Sequence, residues 1–129
     1  MLLQSRNRVL DLHNRKVLLI DRCQTTREAR AAVLRSHRVE VHEAENLSGA
    51  RLLWQPDVYD LVMLDVRRYS PGEVLEFYGQ IKDRSPGERI VFLVGPPAYL
   101  SRTWPEEMKA RDEEPQQWAE TVRRFLAAA

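Results

Sequence analysis

Three short, uninterrupted apolar runs stand out along the chain, at residues 17–20, 61–64 and 90–94. A run this short that is apolar on both faces is typical of a strand inside a parallel sheet covered on both sides. Asp21 follows the first run and Asp65 follows the second. We therefore predict three buried strands, two of which deliver a carboxylate to the edge of the sheet.

The segment after the first run has the spacing of an amphipathic helix. Thr25 or Thr26 can cap its N-terminus. We expect its buried stripe to consist of small and branched apolar residues, namely Ala29, Ala32, Val33 and Leu34. Residues 39–44 then alternate between apolar and polar side chains, which predicts a second strand nearer an edge of the sheet.

Two further helices are predicted on either side of the run at 61–64. Asn46 or Ser48 can cap the first of them, and Pro56 ends it. Its predicted inward residues are Leu47, Ala50, Leu53 and Trp54. Ser70 caps the second helix, with Pro71 at the first helical position. Its apolar residues are Val74, Phe77, Tyr78 and Ile81.

The pattern weakens between residues 98 and 114, where a full helix followed by a full strand would need more apolar periodicity. We expect a shortened connection there. Pro115 opens a final helix, whose stripe is Trp118, Val122, Phe125 and Leu126. Alternating strands and helices predict an α/β fold with a parallel sheet and helices on both faces. Right-handed crossovers then bring Asp21 and Asp65 to the same edge of the sheet.

Length and composition narrow the classes of partner and compartment. The 129 residues suit one domain, which we place at 16–129 behind an N-terminal arm at 1–15. Twenty basic and nineteen acidic residues give no electrostatic reason to expect a nucleic-acid or membrane partner. The single cysteine, Cys23, excludes an internal disulfide and fits a reducing cytoplasm. No apolar stretch approaches the roughly 20 residues that cross a bilayer.

Two carboxylates that end neighbouring parallel strands can bind Mg²⁺, which prefers hard oxygen ligands. A metal in that position neutralises an incoming phosphoryl group, and a carboxylate such as Asp65 can receive it. The same aspartates can instead be structural, paired with an arginine. Arg67 and Arg68, just after Asp65, can bind an anion or remain solvated.

Here the sequence resembles the receiver domain of bacterial two-component response regulators. The resemblance covers residues 16–94 and the final helix, and its motifs are KVLLID at 16–21, VHEA at 41–44, DLVMLD at 60–65 and RIVFLV at 89–94. It implies a flavodoxin-like (CheY-like) sheet of five parallel strands in the order 2-1-3-4-5. It also implies that Asp65 accepts phosphate from a histidine kinase, and that Asp21 and Asp65 bind Mg²⁺.

The sequence departs from the receiver pattern at several functional positions. Arg22 stands where the second acid of the metal site is expected, and Gly95 stands where the switch hydroxyl is expected. Trp104, before Pro105, occupies the place of the lysine near the fifth strand. We therefore expect a weakened metal site and predict that Arg22 pairs with Asp65.

These features lead to three hypotheses about function. The first is an atypical receiver, cytoplasmic and bacterial in type, that binds a histidine kinase or another signalling protein with weak or no phosphorylation and is not an enzyme. We expect it to stand alone, since no output domain follows Ala129. The second is a Mg²⁺-dependent phosphoacceptor that uses Asp65. The distant third is a flavodoxin-like nucleotide-binding enzyme, although residues 21–25 are not a glycine-rich phosphate loop.

Overall fold

The computed structural model describes residues 14–94, 109–111 and 123–124. The elements, in chain order, are β1 (Lys16–Ile20), α1 (Gln24–Ser36), β2 (Glu40–Ala44), α2 (Leu47–Leu53), β3 (Leu61–Asp65), α3 (Pro71–Arg84), β4 (Ile90–Val94) and β5 (Lys109–Arg111). The strands form one parallel sheet in the order β2-β1-β3-β4-β5. The predicted α/β class and strand order are therefore confirmed.

The register of the sheet places the carboxyl ends of β1 and β3 side by side. Ile20, the last residue of β1, is level with Leu64 of β3. Asp21 follows one residue later, and its backbone N–H still donates to the carbonyl of Ala44 at 3.0 Å. Asp65 is level with Leu93 of β4. Both aspartates therefore leave the sheet at the same edge, as predicted.

Helices cover both faces of the sheet, and each face has its own apolar cluster. One cluster contains Leu18 and Leu64 of the strands and packs against residues of α2 and α3 such as Ala50 and Phe77. The other contains alternate strand residues, among them Leu19, and packs against α1. Because both faces are covered, the buried strands read as continuous apolar runs.

The N-terminus of α1 differs from the prediction. Its N-cap is Cys23, whose side chain makes no capping hydrogen bond. Thr26 lies inside the first turn and donates its hydroxyl to Oδ2 of Asp21 at 2.5 Å. The prediction that Thr25 or Thr26 caps this helix is wrong, because the helix begins before them and the Asp21 carboxylate takes the Thr26 hydroxyl.

The buried face of α1 also differs from the predicted stripe. Arg30, Ala31 and Leu34 are buried, whereas Ala29 and Ala32 are exposed. A stripe chosen by hydrophobicity alone assigns an arginine to the solvent side. Here the inward face includes Arg30, so the true face is rotated from the predicted one.

The capping predictions for α2 and α3 are confirmed. Asn46 accepts a hydrogen bond from the Gly49 N–H at 2.7 Å. Ser70 forms a capping box with Glu73, and Pro71 begins α3.

One predicted inward residue of α2 is wrong, because Leu53 is 41% exposed at the end of the helix. The chain turns there, so that Trp54 rather than Leu53 enters the core.

The C-terminal segment keeps a fifth strand in the region where the pattern weakens. β5 is only three residues long and pairs with β4 through Phe92 and Lys109. Three residues are too few to show an alternation in the sequence. Arg123 and Arg124 are helical, within the predicted final helix. Gly95, Trp104 and the rest of that helix lie outside the described residues, as does most of the 1–15 arm.

No helix in the described part of the chain is long and apolar enough to cross a membrane.

Candidate functional site

Asp21 and Asp65 lie buried at the carboxyl edge of the sheet, with 2% and 4% of their surfaces exposed. This is the edge at which ligands gather in open α/β sheets. The two strands that position the aspartates are hydrogen-bonded neighbours. Two buried carboxylates this close require cations or hydrogen-bond donors, since burying an unpaired charge is costly.

The cation between the two carboxylates is Arg30 of α1. Its Nη1 donates to Oδ2 of Asp21 at 2.9 Å and to Oδ2 of Asp65 at 2.6 Å. The Arg30 side chain is itself 9% exposed, so the whole bridge is buried. A single guanidinium nitrogen therefore joins the ends of β1 and β3 and connects both to α1.

Arg67 is a second cation at Asp65. Its Nη2 donates to Oδ2 at 2.6 Å, and its Nε lies 3.0 Å from each carboxylate oxygen. The backbone N–H of Arg67 also donates to Oδ1 at 3.0 Å. Charge-assisted bonds of this kind, with two guanidinium nitrogens on one carboxylate, are among the stronger hydrogen bonds in proteins. Both oxygens of Asp65 are therefore engaged by arginines.

Asp21 precedes α1, and donors of that helix and of its N-cap residue bond to both of its carboxylate oxygens. Its Oδ1 accepts the backbone N–H of Cys23 at 2.9 Å, and its Oδ2 accepts the hydroxyl of Thr26 in addition to Arg30. Asp21 therefore connects the end of β1 to the start of α1 through the N-cap backbone and the Thr26 hydroxyl. The side chain of the N-cap residue, Cys23, makes no capping hydrogen bond.

Two opposed effects set the protonation of Asp65. Burial raises the pKa of its carboxyl, while hydrogen bonds from Arg67 and Arg30 and the charge of Arg30 lower it. The arginines outweigh burial, so the pKa of Asp65 lies below its ordinary value. Asp65 is therefore an ionised carboxylate at neutral pH.

The predicted pairing of Arg22 with Asp65 is wrong. The Arg22 guanidinium instead lies over the ring of Tyr69, 5.3 Å from the centroid. The places beside the Asp65 carboxylate are taken by Arg30 and Arg67. The positive charge beside Asp65 therefore comes from the inward face of α1 and from the loop after β3, and not from Arg22.

The donor set does not suit Mg²⁺. Mg²⁺ demands near-octahedral oxygen coordination and usually retains several waters. Here the oxygens of both aspartates face guanidinium, hydroxyl or amide donors. Across residues 14–94 and the two short C-terminal stretches, no group of three or more His, Cys, Asp or Glu side chains is placed to bind a metal. A metal would have to displace arginine from both carboxylates.

An open cavity of about 400 Å³ lies above the two carboxylates. The described residues that line it are Asp21, Arg22, Cys23, Thr26, Asp65, Arg67 and Arg68. Three arginines thus face two aspartates, and Arg30 adds a further positive charge behind the carboxylates. The lining is net positive, the reverse of what a divalent-cation site requires.

Sequence reasoning missed the roles of Arg30 and Arg67. The signal for Arg30 is its position four residues before the buried Leu34, on the same face of α1. An arginine on an inward stripe that points toward two strand-end carboxylates is a candidate ion-pair partner. Arg67 lies two residues after Asp65, but the sequence alone predicts only that it binds an anion or remains solvated.

The comparisons with solved structures show the fold. The structure is similar to the non-phosphorylated HemR receiver domain from Leptospira biflexa, with a TM-score of 0.74 and 19% identity over 88% of this chain and 94% of that chain. It is similar to a response regulator from Thermotoga maritima, with a TM-score of 0.73 and 19% identity over 88% and 98%. For the chemotaxis response regulator CheY4 of Vibrio cholerae, the TM-score is 0.70 with 18% identity over 86% and 98%.

No family model matches the chain, and no curated protein matches it. The predicted CheY-like, flavodoxin-like fold is confirmed by the solved structures. At these identities the likeness carries the fold alone, so the use of the site has to be argued from its own residues.

Proposed function

We propose that this chain is a receiver-type signalling module that acts by binding a partner protein, with a guanidinium bridge in place of Mg²⁺-dependent phosphorylation. The observation that supports this most strongly is that one nitrogen of Arg30 bonds to both Asp21 and Asp65. In this proposal Asp65 is a structural anchor and not a phosphoacceptor.

The chemistry of arginine supports a permanent bridge. A guanidinium stays protonated at any physiological pH, so the bridge does not switch off by titration. Arg30 is also covalently part of α1, whereas a metal must bind from solution. Because the ion pairs are buried, removing either partner leaves an uncompensated charge in the interior. The bridge therefore favours a single conformation of the site.

The proposed context is two-component signalling, with a histidine kinase or another signalling protein as partner. The likeness to receiver domains of response regulators supports this context. We propose a cytoplasmic location, which suits the free thiol of Cys23. A nucleotide-binding enzyme is disfavoured, since residues 21–25 lack the glycines of a phosphate loop.

Intact-mass measurement tests the proposal. The purified protein is incubated with Mg²⁺ and an acyl phosphate as small-molecule phosphodonor, beside an Asp65→Asn variant and a conventional receiver as positive control. The expected result is an unchanged mass for this protein while the positive control gains a phosphoryl group. A phosphoryl adduct on the protein that is absent from Asp65→Asn would instead establish the Mg²⁺-dependent phosphoacceptor.

A further inference from the structure

The cavity at the carboxyl edge has cationic side chains that the ion-pair bridge does not use. Arg30 and Arg67 are engaged with the aspartates. Arg22 and Arg68 also line the cavity, and both are exposed. Within residues 14–94, neither Arg22 nor Arg68 forms an ion pair. The cavity therefore presents two arginines that are available to a ligand.

The two available arginines differ in how they are positioned. Arg22 lies over the ring of Tyr69, which restricts its guanidinium through a cation–π contact. Arg68 follows directly on Arg67, whose side chain is tied to Asp65. Arg22 comes from the loop after β1 and Arg68 from the loop after β3. Two guanidiniums from neighbouring loops thus border one open volume.

The first turn of α1 adds to the positive character of the cavity. Cys23 and Thr26, at the start of this 13-residue helix, are part of the lining. The first backbone N–H groups of a helix have no partner within the helix and favour anions. The aspartates, by contrast, are neutralised by Arg30 and Arg67 and are buried. An anion that enters therefore meets more donors than carboxylate oxygens.

We propose that this cavity binds a phosphate-type oxyanion reversibly, without metal and without a covalent bond to Asp65, through Arg22 and Arg68. Phosphate suits the site because guanidinium groups bind its oxygens through paired, charge-assisted hydrogen bonds. The volume of about 400 Å³ leaves room for the group that carries the phosphate. This inference rests on the proposed function in one respect, namely that the aspartates stay bound to arginine.

Isothermal titration with inorganic phosphate in EDTA, at constant ionic strength set with chloride, tests the proposal. A second arm uses O-phosphoserine, which separates free phosphate from a phosphate monoester. The expected result is saturable binding that weakens about tenfold or more in an Arg22→Gln/Arg68→Gln variant. The matched control is Arg38→Gln/Arg84→Gln, which removes two exposed arginines that do not line the cavity. It should bind as the wild type does.

An Asp65→Asn variant separates this proposal from phosphoacceptance. Reversible binding should persist or tighten in Asp65→Asn, because a negative charge next to the cavity is removed. Absence of saturable binding in both arms would overturn the anion site, and so would equal weakening in Arg38→Gln/Arg84→Gln and in Arg22→Gln/Arg68→Gln. An unchanged intact mass would then leave the proposed function standing. A Mg²⁺-dependent phosphoryl adduct on Asp65 would overturn the proposed function, whatever the titration showed.

Discussion

Two buried carboxylates at opposite edges of the sheet have different partners, charged at one edge and neutral at the other. Asp65, at the carboxyl edge, is bound by two arginines. Glu88 lies before β4, at the amino edge, and is 5% exposed. Its side chain accepts a hydrogen bond from Nε1 of Trp54 at 3.2 Å, which is a neutral donor. The nearby Lys82 gives its ammonium to the backbone carbonyls of Pro86 and Glu88 instead.

The difference appears in the protonation of the two groups. Burial raises the pKa of Glu88, and the hydrogen bond from Trp54 does not offset it. At Asp65 burial also acts upward, but the arginines bring the pKa below its ordinary value. Burial alone therefore does not decide the state of a carboxylate here. The carboxyl edge of the sheet is distinguished by its guanidinium groups, which is why we assign function to that edge.

The largest loss in the free energy of unfolding is expected from Arg30→Met. Removing the bridge leaves Asp21 without its cation and Asp65 with Arg67 alone. Breaking a buried ion pair from one side costs about 3–5 kcal/mol. Urea unfolding at pH 7 should show a loss near the lower end of this range, since Arg67 remains.

Arg35→Met is the matched control for Arg30→Met. Arg35 lies on the same helix, and its side chain is 50% exposed beside Glu43. An exposed pair of this kind contributes at most about 1 kcal/mol. Equal losses in the two variants would show that the buried bridge is no more stabilising than a surface pair.

Replacing Asp65 should have the next largest effect on the free energy of unfolding. It should destabilise the fold, whereas replacing Glu88 should stabilise it. Asp65→Asn keeps the shape but removes the charge that Arg30 and Arg67 bind, at a cost of about 2 kcal/mol. Urea unfolding measures this loss. Stabilisation by Asp65→Asn would mean that the arginines do not compensate the burial of this carboxylate.

Glu88→Gln should stabilise the fold at pH 7, because burial raises the pKa of Glu88 and so disfavours its charged form. The glutamine oxygen can still accept from Trp54, while the buried charge is gone. The melting temperature of Glu88→Gln should rise above that of the wild type. A clear fall would indicate that the charge of Glu88 is stabilised by its surroundings.

The smallest effects are expected in the pH dependence of stability, where Asp65 and Glu88 should again differ. The lowered pKa of Asp65 means that its contribution is complete above the unfolded value of about 4 and is lost as pH falls through the folded pKa. The raised pKa of Glu88 means that stability declines as pH rises from about 4.3 through its folded pKa. Urea midpoints measured across this pH range test both effects. The fall in stability at low pH should be smaller in Asp65→Asn, and the fall above about pH 4.3 should be smaller in Glu88→Gln.

The strands and most caps could be predicted because their signals are local. The apolar runs at 17–20 and 61–64 specify buried strands, and Asn46 and Ser70 cap their helices as expected. The meeting of Asp21 and Asp65 also followed from parallel topology alone. These conclusions need only periodicity and the handedness of crossovers.

The partners of the aspartates could not be predicted in the same way. Hydrophobic periodicity treats every arginine as a surface residue, so Arg30 was left off the inward face of α1. Arg22 occupies the position where the receiver pattern has its second acid, which predicts a pairing with Asp65, yet its side chain lies over Tyr69. Which arginine reaches a carboxylate depends on the rotation of α1 against the sheet, and that is set by tertiary packing.

If Arg30 and Arg67 exclude a metal from the carboxyl edge, removing both side chains should make the melting temperature respond to Mg²⁺. Wild type and an Arg30→Met/Arg67→Met variant are compared over millimolar MgCl₂, with matched NaCl to control ionic strength. We predict no metal-specific stabilisation of the wild type and a clear rise for the double variant, whose two carboxylates then lack their arginine partners. A metal-specific rise in the wild type as large as that in the double variant would show that these arginines do not exclude the metal.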